Sequence, residues 1–223
     1  VKTLAKFNDK SEDKHHIAVE RLIRYLQGTK DFKLRIVGDK PQKFEAIVKR
    51  PNPGADDTES NQQLEAFADA DWGNDPDDRR STSGILIFFG GSPIFWSSIT
   101  PKSVSLSSTE AEYYALSECC REVLYYRNLV SDIARSATLK IPDVTTQPTI
   151  VWEDNISCIT VANTTESTKK TKHIAIRHSF VKQLCEDKTI LLAHIKTEKQ
   201  LADILTKALP VKTFLYLRDM INP

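Results

Sequence analysis

Apolar residues recur at helical spacing over 15–26 (Ile17, Ala18, Leu22, Ile23, Leu26), with Glu20, Arg21 and Arg24 between them and Gly28 as a stop, which predicts an amphipathic helix. A short strand is expected over 33–37. Residues 50–63 then concentrate Pro, Gly, Asp, Ser, Asn and Gln, the composition of a linker, so a boundary is expected there, with segments 1–60 and 61–223 on either side. Beyond it the period shortens. Strands are expected over 64–71, 84–89 and 93–97, with Gly90-Gly91 as the turn between the last two, which makes an antiparallel meander. A long helix over 108–133 follows, then a strand over 149–153, helices over 156–163 and 174–186, a strand over 189–195, and short helices from 198 and 212. Three strands followed by alternating helices and strands describe an α/β chain with a mixed sheet and helices packed on its faces.

Acidic residues fall at the edges of these elements. In the strand over 64–71, Phe67, Asp69 and Asp71 share one face and Ala66, Ala68 and Ala70 the other. Carboxylates at a strand end suit a metal, although the run through Asp75, Asp77 and Asp78 also reads as a hydrated acidic loop. In the long helix, Ser107 and Glu110 have capping-box spacing. Glu112 instead heads the inward stripe of Ala115, Leu116, Cys119, Val123, Tyr126, Val130 and Ile133, where a cation or a buried hydrogen bond would offset its desolvation. Asp154 closes the strand over 149–153, either as a ligand at the sheet edge or as a helix N-cap, a role Asn155 could also fill. Thr197 and Gln200 suggest another capping box, and in a helix begun there Asp203 points away from the stripe of Leu201, Ile204, Leu205 and Ala208, as a solvated surface acid would. If folding gathers Asp69, Glu112, Asp154 and Asp203, they form an all-oxygen site of the kind that holds two divalent ions for phosphodiester cleavage.

With 31 basic and 30 acidic residues in 223, the net charge is +1, so no global field draws the chain to a polyanion. Any such partner must meet a local patch. Lys169, Lys170, Lys172, His173, Arg177 and His178 form one, readable as a phosphate contact or as a solvated helix start. The four cysteines lack the paired spacing of a zinc site and are expected to be reduced thiols. The longest apolar run, 85–89, is too short to span a bilayer and no signal-peptide pattern opens the chain, so no membrane association and an intracellular location are expected. The first residue is Val rather than Met, so a fragment, a processed product or a trimmed chain is expected.

The segments FADADWGNDPDDRRSTSG (67–84), SLSSTEAEYYALSE (105–118), VWEDN (151–155), TKHIAIRHSF (171–180) and TEKQLADILTKALP (197–210) resemble, in order and spacing, the ribonuclease H region that ends the Pol polyprotein of copia-type LTR retrotransposons. HHIAVERLIRYLQGTKD (15–31) resembles the end of the reverse transcriptase polymerase of the same elements. The resemblance implies a ribonuclease H-like fold: a five-stranded mixed sheet with helices on both faces, preceded by a small N-terminal helical segment. It implies that 1–60 is the tail of a reverse transcriptase with its linker and 61–223 the ribonuclease H-like domain. Asp69, Glu112, Asp154 and Asp203 match the family's four catalytic, metal-binding acids, with Asp71 a competitor for the place of Asp69. The implied activity is Mg²⁺-dependent cleavage of the RNA strand of an RNA–DNA hybrid with two ions, Mn²⁺ being an alternative. Lys170, Lys172, His173 and Arg177 are the expected backbone contacts, and the upstream polymerase the expected partner, in a cytoplasmic virus-like particle or the nucleus. Polymerase catalytic segments are absent, so DNA synthesis is not expected. The competing reading is a non-catalytic nucleic-acid-binding or connection module of a reverse transcriptase, or a host-adopted remnant.

Overall fold

The computed structural model describes residues 1–36, 64–75, 77–136, 144–164 and 175–222. They fall into two units, one of Val1–Arg35 and one beginning at Ile36. In the first, α1 (Lys2–Ala5) precedes α2 (Asp13–Gly28), whose N-terminus is closed by a reciprocal capping box between Glu12 and His15. The helix stands where its period predicts, but no residue of α2 is buried, and Ile17, Ile23 and Leu26 are exposed. The strand expected over 33–37 does not form through residue 36, and Val37 lies outside the described residues. So does the linker over 50–63.

In the second unit, β1 (Leu64–Asp71), β2 (Thr82–Phe89) and β3 (Ser92–Ile99) form the expected antiparallel meander. Gly90 and Gly91 both take positive φ, 57° and 76°, the conformation a tight hairpin turn demands and a side chain resists. On the other side of β1 lie β4 (Thr149–Glu153) and β5 (Ile190–His194), each parallel to its neighbour, giving the strand order β3-β2-β1-β4-β5. β1 is thus the central strand, buried along nearly all its length.

The strand alternation sorts side chains into two cores. On one face Ala66, Ala68, Ile85, Ile87 and Val151 pack against α3 (Ser108–Ser136), α4 (Ile156–Asn163) and α5 (Ala175–Glu186) through Leu116, Cys119, Val123, Cys158 and Val181. On the other, Phe67, Leu86, Phe88, Ile150 and Trp152 meet Leu201 and Ala202, next to α6 (Asp203–Thr206), and Leu217 of α7 (Val211–Ile221). Phe67 anchors this second core, edge-on to Phe88 at 5.8 Å and stacked on Trp152 at 6.4 Å. A five-stranded mixed sheet clothed on both faces is the ribonuclease H-like fold that the resemblance implies. Cys119, Cys120, Cys158 and Cys185 are all free thiols.

One expected element changes form. Thr197–Lys199 is a 3₁₀ turn, and α6 starts afresh at Asp203. The capping box of Thr197 with Gln200 does not form, because the Gln200 side chain turns inward, donating to Ala68 O at 2.8 Å and accepting from Ala202 N at 3.3 Å. A buried amide that satisfies the backbone of the central strand outweighs a surface cap.

Candidate metal centre

Three elements bring carboxylates to one edge of the sheet. β1 and β4 run parallel with Phe67 opposite Trp152, and continuing that register by two residues sets Asp154 beside Asp69. Asp71 pairs with Thr82 and Ser83 with Ile99, so the chain leaves β3 at this same edge, where α3 begins. Trp72 Nε1 donates to Ser105 O at 3.0 Å and ties the approach to α3 onto the end of β1. Ala70, Ala111 and Ala115 form a small buried cluster whose short side chains let the first turns of α3 lie close to the strand. Glu112 is thereby carried to the edge. One carboxylate oxygen each from Asp69, Glu112 and Asp154 lies within 4.8 Å of the others.

The other face delivers a second group. Gly84 pairs with Asp69 across the β1–β2 ladder. A Cβ at Gly84 would stand 2.7 Å from Thr206 Cγ2, 2.9 Å from Ala202 O and 3.1 Å from Leu205 Cβ, so the missing side chain is the space into which α6 packs. Thr206 Oγ1 consequently donates to Asp69 Oδ2. Lys207 Nζ lies 2.8 Å from Asp203 Oδ1 and 4.0 Å from Asp69 Oδ2.

Crowding raises the proton affinity of these acids. Burial, then the charges of Asp69 and Asp154, push Glu112 up to about 9, against a lowering contribution from the Ala70 backbone N–H. Burial, then Asp69, push Asp203 up to about 7. Asp69 is also raised by burial, with Lys207 and Thr206 opposing. Behind them the fully buried Glu153 is raised by burial and by Glu112, and its Oε1 accepts from Asn155 N at 3.1 Å. Glu112 Oε2 is buried with no hydrogen-bond partner. An all-oxygen donor set with an unpartnered buried oxygen fits a hard divalent cation, whose charge would offset the desolvation these groups otherwise suffer.

Asp69, Glu112 and Asp154 therefore converge as the sequence suggested, and Asp203 adjoins them through Asp69. The surface reading of Asp203 fails: the residue is 4% exposed, because α6 restarts after the 3₁₀ turn and its face toward the sheet is not the one a continuous helix would present. Asp71 lies outside the converging trio and accepts instead from Asn74 Nδ2. Asn155 takes the N-cap of α4, accepting from Cys158 N at 3.1 Å, which leaves Asp154 free of that duty. Ser107 Oγ accepts from Glu110 N at 3.1 Å, while the Glu110 carboxylate reaches Leu106 N at 2.6 Å, one residue before the expected amide.

Of the expected backbone contacts, Lys170, Lys172 and His173 lie outside the described residues. Arg177 is half-buried, with Nη1 2.6 Å from both Glu118 Oε1 and Ser117 Oγ and the guanidinium 4.0 Å above the Tyr114 ring. Gly84, Thr206 and Lys207 were missed by sequence reasoning. A signal existed for Lys207, which stands four residues after Asp203, the spacing at which helical charges meet.

No family model matches the chain. The retrovirus-related Pol polyprotein from transposon RE1 of Arabidopsis thaliana is 30% identical over 215 residues, covering 96% of this chain and 13% of the relative. That from transposon TNT 1-94 of Nicotiana tabacum is 27% identical over 222 residues, covering 100% of this chain and 14% of the relative. The chain thus spans only about one-seventh or less of the length of these curated relatives. Among solved structures, LC11 ribonuclease H1, isolated from compost by a metagenomic approach, aligns with a TM-score of 0.47 and 15% identity over 65% of this chain and 93% of that one, a likeness too slight to add to the strand order itself. Over nearly its whole length, the chain is homologous to the Pol polyproteins of copia-type transposons.

Proposed function

We propose that residues 61–223 form a ribonuclease H that cleaves the RNA strand of RNA–DNA hybrids, and that 1–60 is the tail of a reverse transcriptase polymerase with its linker. The observation that carries this reading is the approach of Asp69, Glu112 and Asp154 oxygens to within 4.8 Å from three separate elements. Asp69 and Glu112 would hold divalent ions, Asp154 would share in ligating one, and Asp203 would complete a second position more loosely. Magnesium ions, or manganese in their place, would supply Lewis-acid stabilisation of the scissile phosphate and activation of the attacking water.

The chain contributes preorganisation. Thr206 orients the Asp69 carboxylate by its hydrogen bond, and the parallel β1–β4 pair sets the spacing of Asp69 and Asp154 before any substrate arrives. Arg177 and Arg121, both paired with Glu118, line a groove of about 580 Å³ between α3 and α5, and these arginines, with Lys170, Lys172 and His173 just before α5 in the sequence, would supply the cations for the hybrid's phosphates. Selection of the RNA strand would rest on its 2′-hydroxyls, which DNA lacks. The transposon relatives are Pol polyproteins, which supports an upstream polymerase as partner and a virus-like particle or the nucleus as the place of work. A labelled RNA–DNA hybrid incubated with and without Mg²⁺ tests the reading. Cleavage should require Mg²⁺ and fall by at least about a hundredfold in Asp154→Asn, the scale of losing a preorganised catalytic group; equal cleavage by the variant would refute the assignment.

A further inference from the structure

The carboxylate cluster contains a cation of its own. Lys207 directly follows α6, and its Nζ contacts Asp203 Oδ1 at 2.8 Å while standing 4.0 Å from Asp69 Oδ2. The side chain is 32% exposed against 2% for Asp69 and 6% for Asp203, so the ammonium enters the site from the solvent side. The 2.8 Å contact pairs the ammonium with the Asp203 carboxylate four residues before it. Lysine is a point charge on a flexible stem, so it can leave by rotamer changes alone. Among the described residues, no other lysine or arginine lies within ion-pair distance of Asp69 or Asp203.

We propose that Lys207 is a resident counter-ion that occupies the Asp69–Asp203 half of the site whenever a divalent ion does not, so that an ion arriving in that half must displace it. The inference rests on the metal-dependent reading above and refines it. The two halves of the site become unequal. In the half formed by Asp69, Glu112 and Asp154, neither Glu112 nor Asp154 has a lysine or arginine within ion-pair distance among the described residues, so this half attracts an ion directly. The half formed by Asp69 and Asp203 is already partly neutralised and takes its ion in competition with the ammonium. Lys207 also offsets part of the charge of two acids buried side by side beneath α6.

The test uses the full chain with Lys207→Gln and Lys207→Arg, thermal unfolding in EDTA and across a MgCl₂ titration, and calorimetric counting of Mg²⁺ bound. In Lys207→Gln the unfolding midpoint in EDTA should fall, and the Mg²⁺ concentration giving half of the stabilisation should drop by about ten-fold, the size of an ion partner's effect on a neighbouring carboxylate. Lys207→Arg, which keeps the charge, should stay near the wild type in EDTA. If Lys207→Gln lowers the midpoint equally with and without Mg²⁺, the side chain only packs α6 and the proposal is overturned while the metal reading stands. If neither the wild type nor Lys207→Gln responds to Mg²⁺, the metal reading itself fails, and this inference with it.

Discussion

Replacing Gly84 with alanine adds one methyl group opposite the first carboxylate of the site. The new Cβ would meet Thr206 Cγ2 at 2.7 Å and the Ala202 carbonyl at 2.9 Å. Ordinary contact begins at about 3.4 Å, so α6 must retreat by about 0.7 Å or β2 must bend. Two effects oppose each other. Alanine restricts the unfolded chain and would stabilise the fold by about 0.4–1 kcal/mol if the site could accept it. Overpacking a well-filled core costs about 1–3 kcal/mol, and one of the two closest atoms here is backbone, which cannot swing aside as a side chain can. The overpacking term is the larger, and a net loss of about 1–2 kcal/mol is expected in urea denaturation. Function should suffer more than stability. Asp203, Thr206 and Lys207 all ride on or beside α6, so its retreat moves them together from Asp69, and displacements approaching 1 Å cost up to about a hundredfold in rate. The assay pairs hybrid cleavage with a Mg²⁺ titration of thermal stability. A Gly84→Ala chain as stable as the wild type or more so, with unchanged cleavage, would show that the glycine is not the space into which α6 fits.

Acid titration makes a second prediction. Glu112 rises from 4.5 to about 9 in the folded chain, so between those values the folded state holds a proton that the unfolded state has released. This contribution to stability is complete below pH 4.5 and lost as the pH climbs through about 9, at no more than about 1.4 kcal/mol per pH unit. Asp203, raised from 3.8 to about 7, acts in the same sense. In EDTA the unfolding midpoint should therefore fall from pH 6 to pH 9, Mg²⁺ should flatten the slope, and Glu112→Gln should flatten it without metal while losing most of the Mg²⁺ response; a level wild-type profile in EDTA would contradict the burial of these protons. Far from the site, buried Arg127 donates to Gln147 O at 2.9 Å, Thr149 Oγ1 at 2.8 Å and Thr145 O at 3.2 Å, fastening the approach to β4 onto α3. Arg127→Ala removes these three bonds and the packing of the guanidinium and should cost about 2–4 kcal/mol in urea denaturation; a loss below about 1 kcal/mol would mean that water replaces the guanidinium.

How much the chain discloses in one dimension depends on the range of the interaction concerned. The alternation through Phe67, Ala68 and Asp69 and the stripe from Glu112 to Val130 are repeats of two and of three to four residues, so the neighbours that enforce them are themselves local. The strands, the long helix and the inward direction of Glu112 were accordingly readable. Arg127 left a trace too, as a cation four residues after Val123 on the buried side of the helix. Asp203 shows where such reading stops. Its burial depends on Gln200 finding the carbonyl of Ala68, a partner 132 residues away, and on α6 restarting in the room left by Gly84.

The sequence by itself determined the five strands of the sheet and the long helix with its buried stripe and, through its resemblance to copia-type Pol polyproteins, which four acids to watch. Only the tertiary structure decided that Asp69 rather than Asp71 joins Glu112 and Asp154, that Asn155 and not Asp154 caps α4, and that Lys207 enters the cluster. The division has one physical cause: local periodicity is written in the neighbours along the chain, whereas a site is fixed by strand pairing and close packing between residues whose separation in sequence carries no period at all.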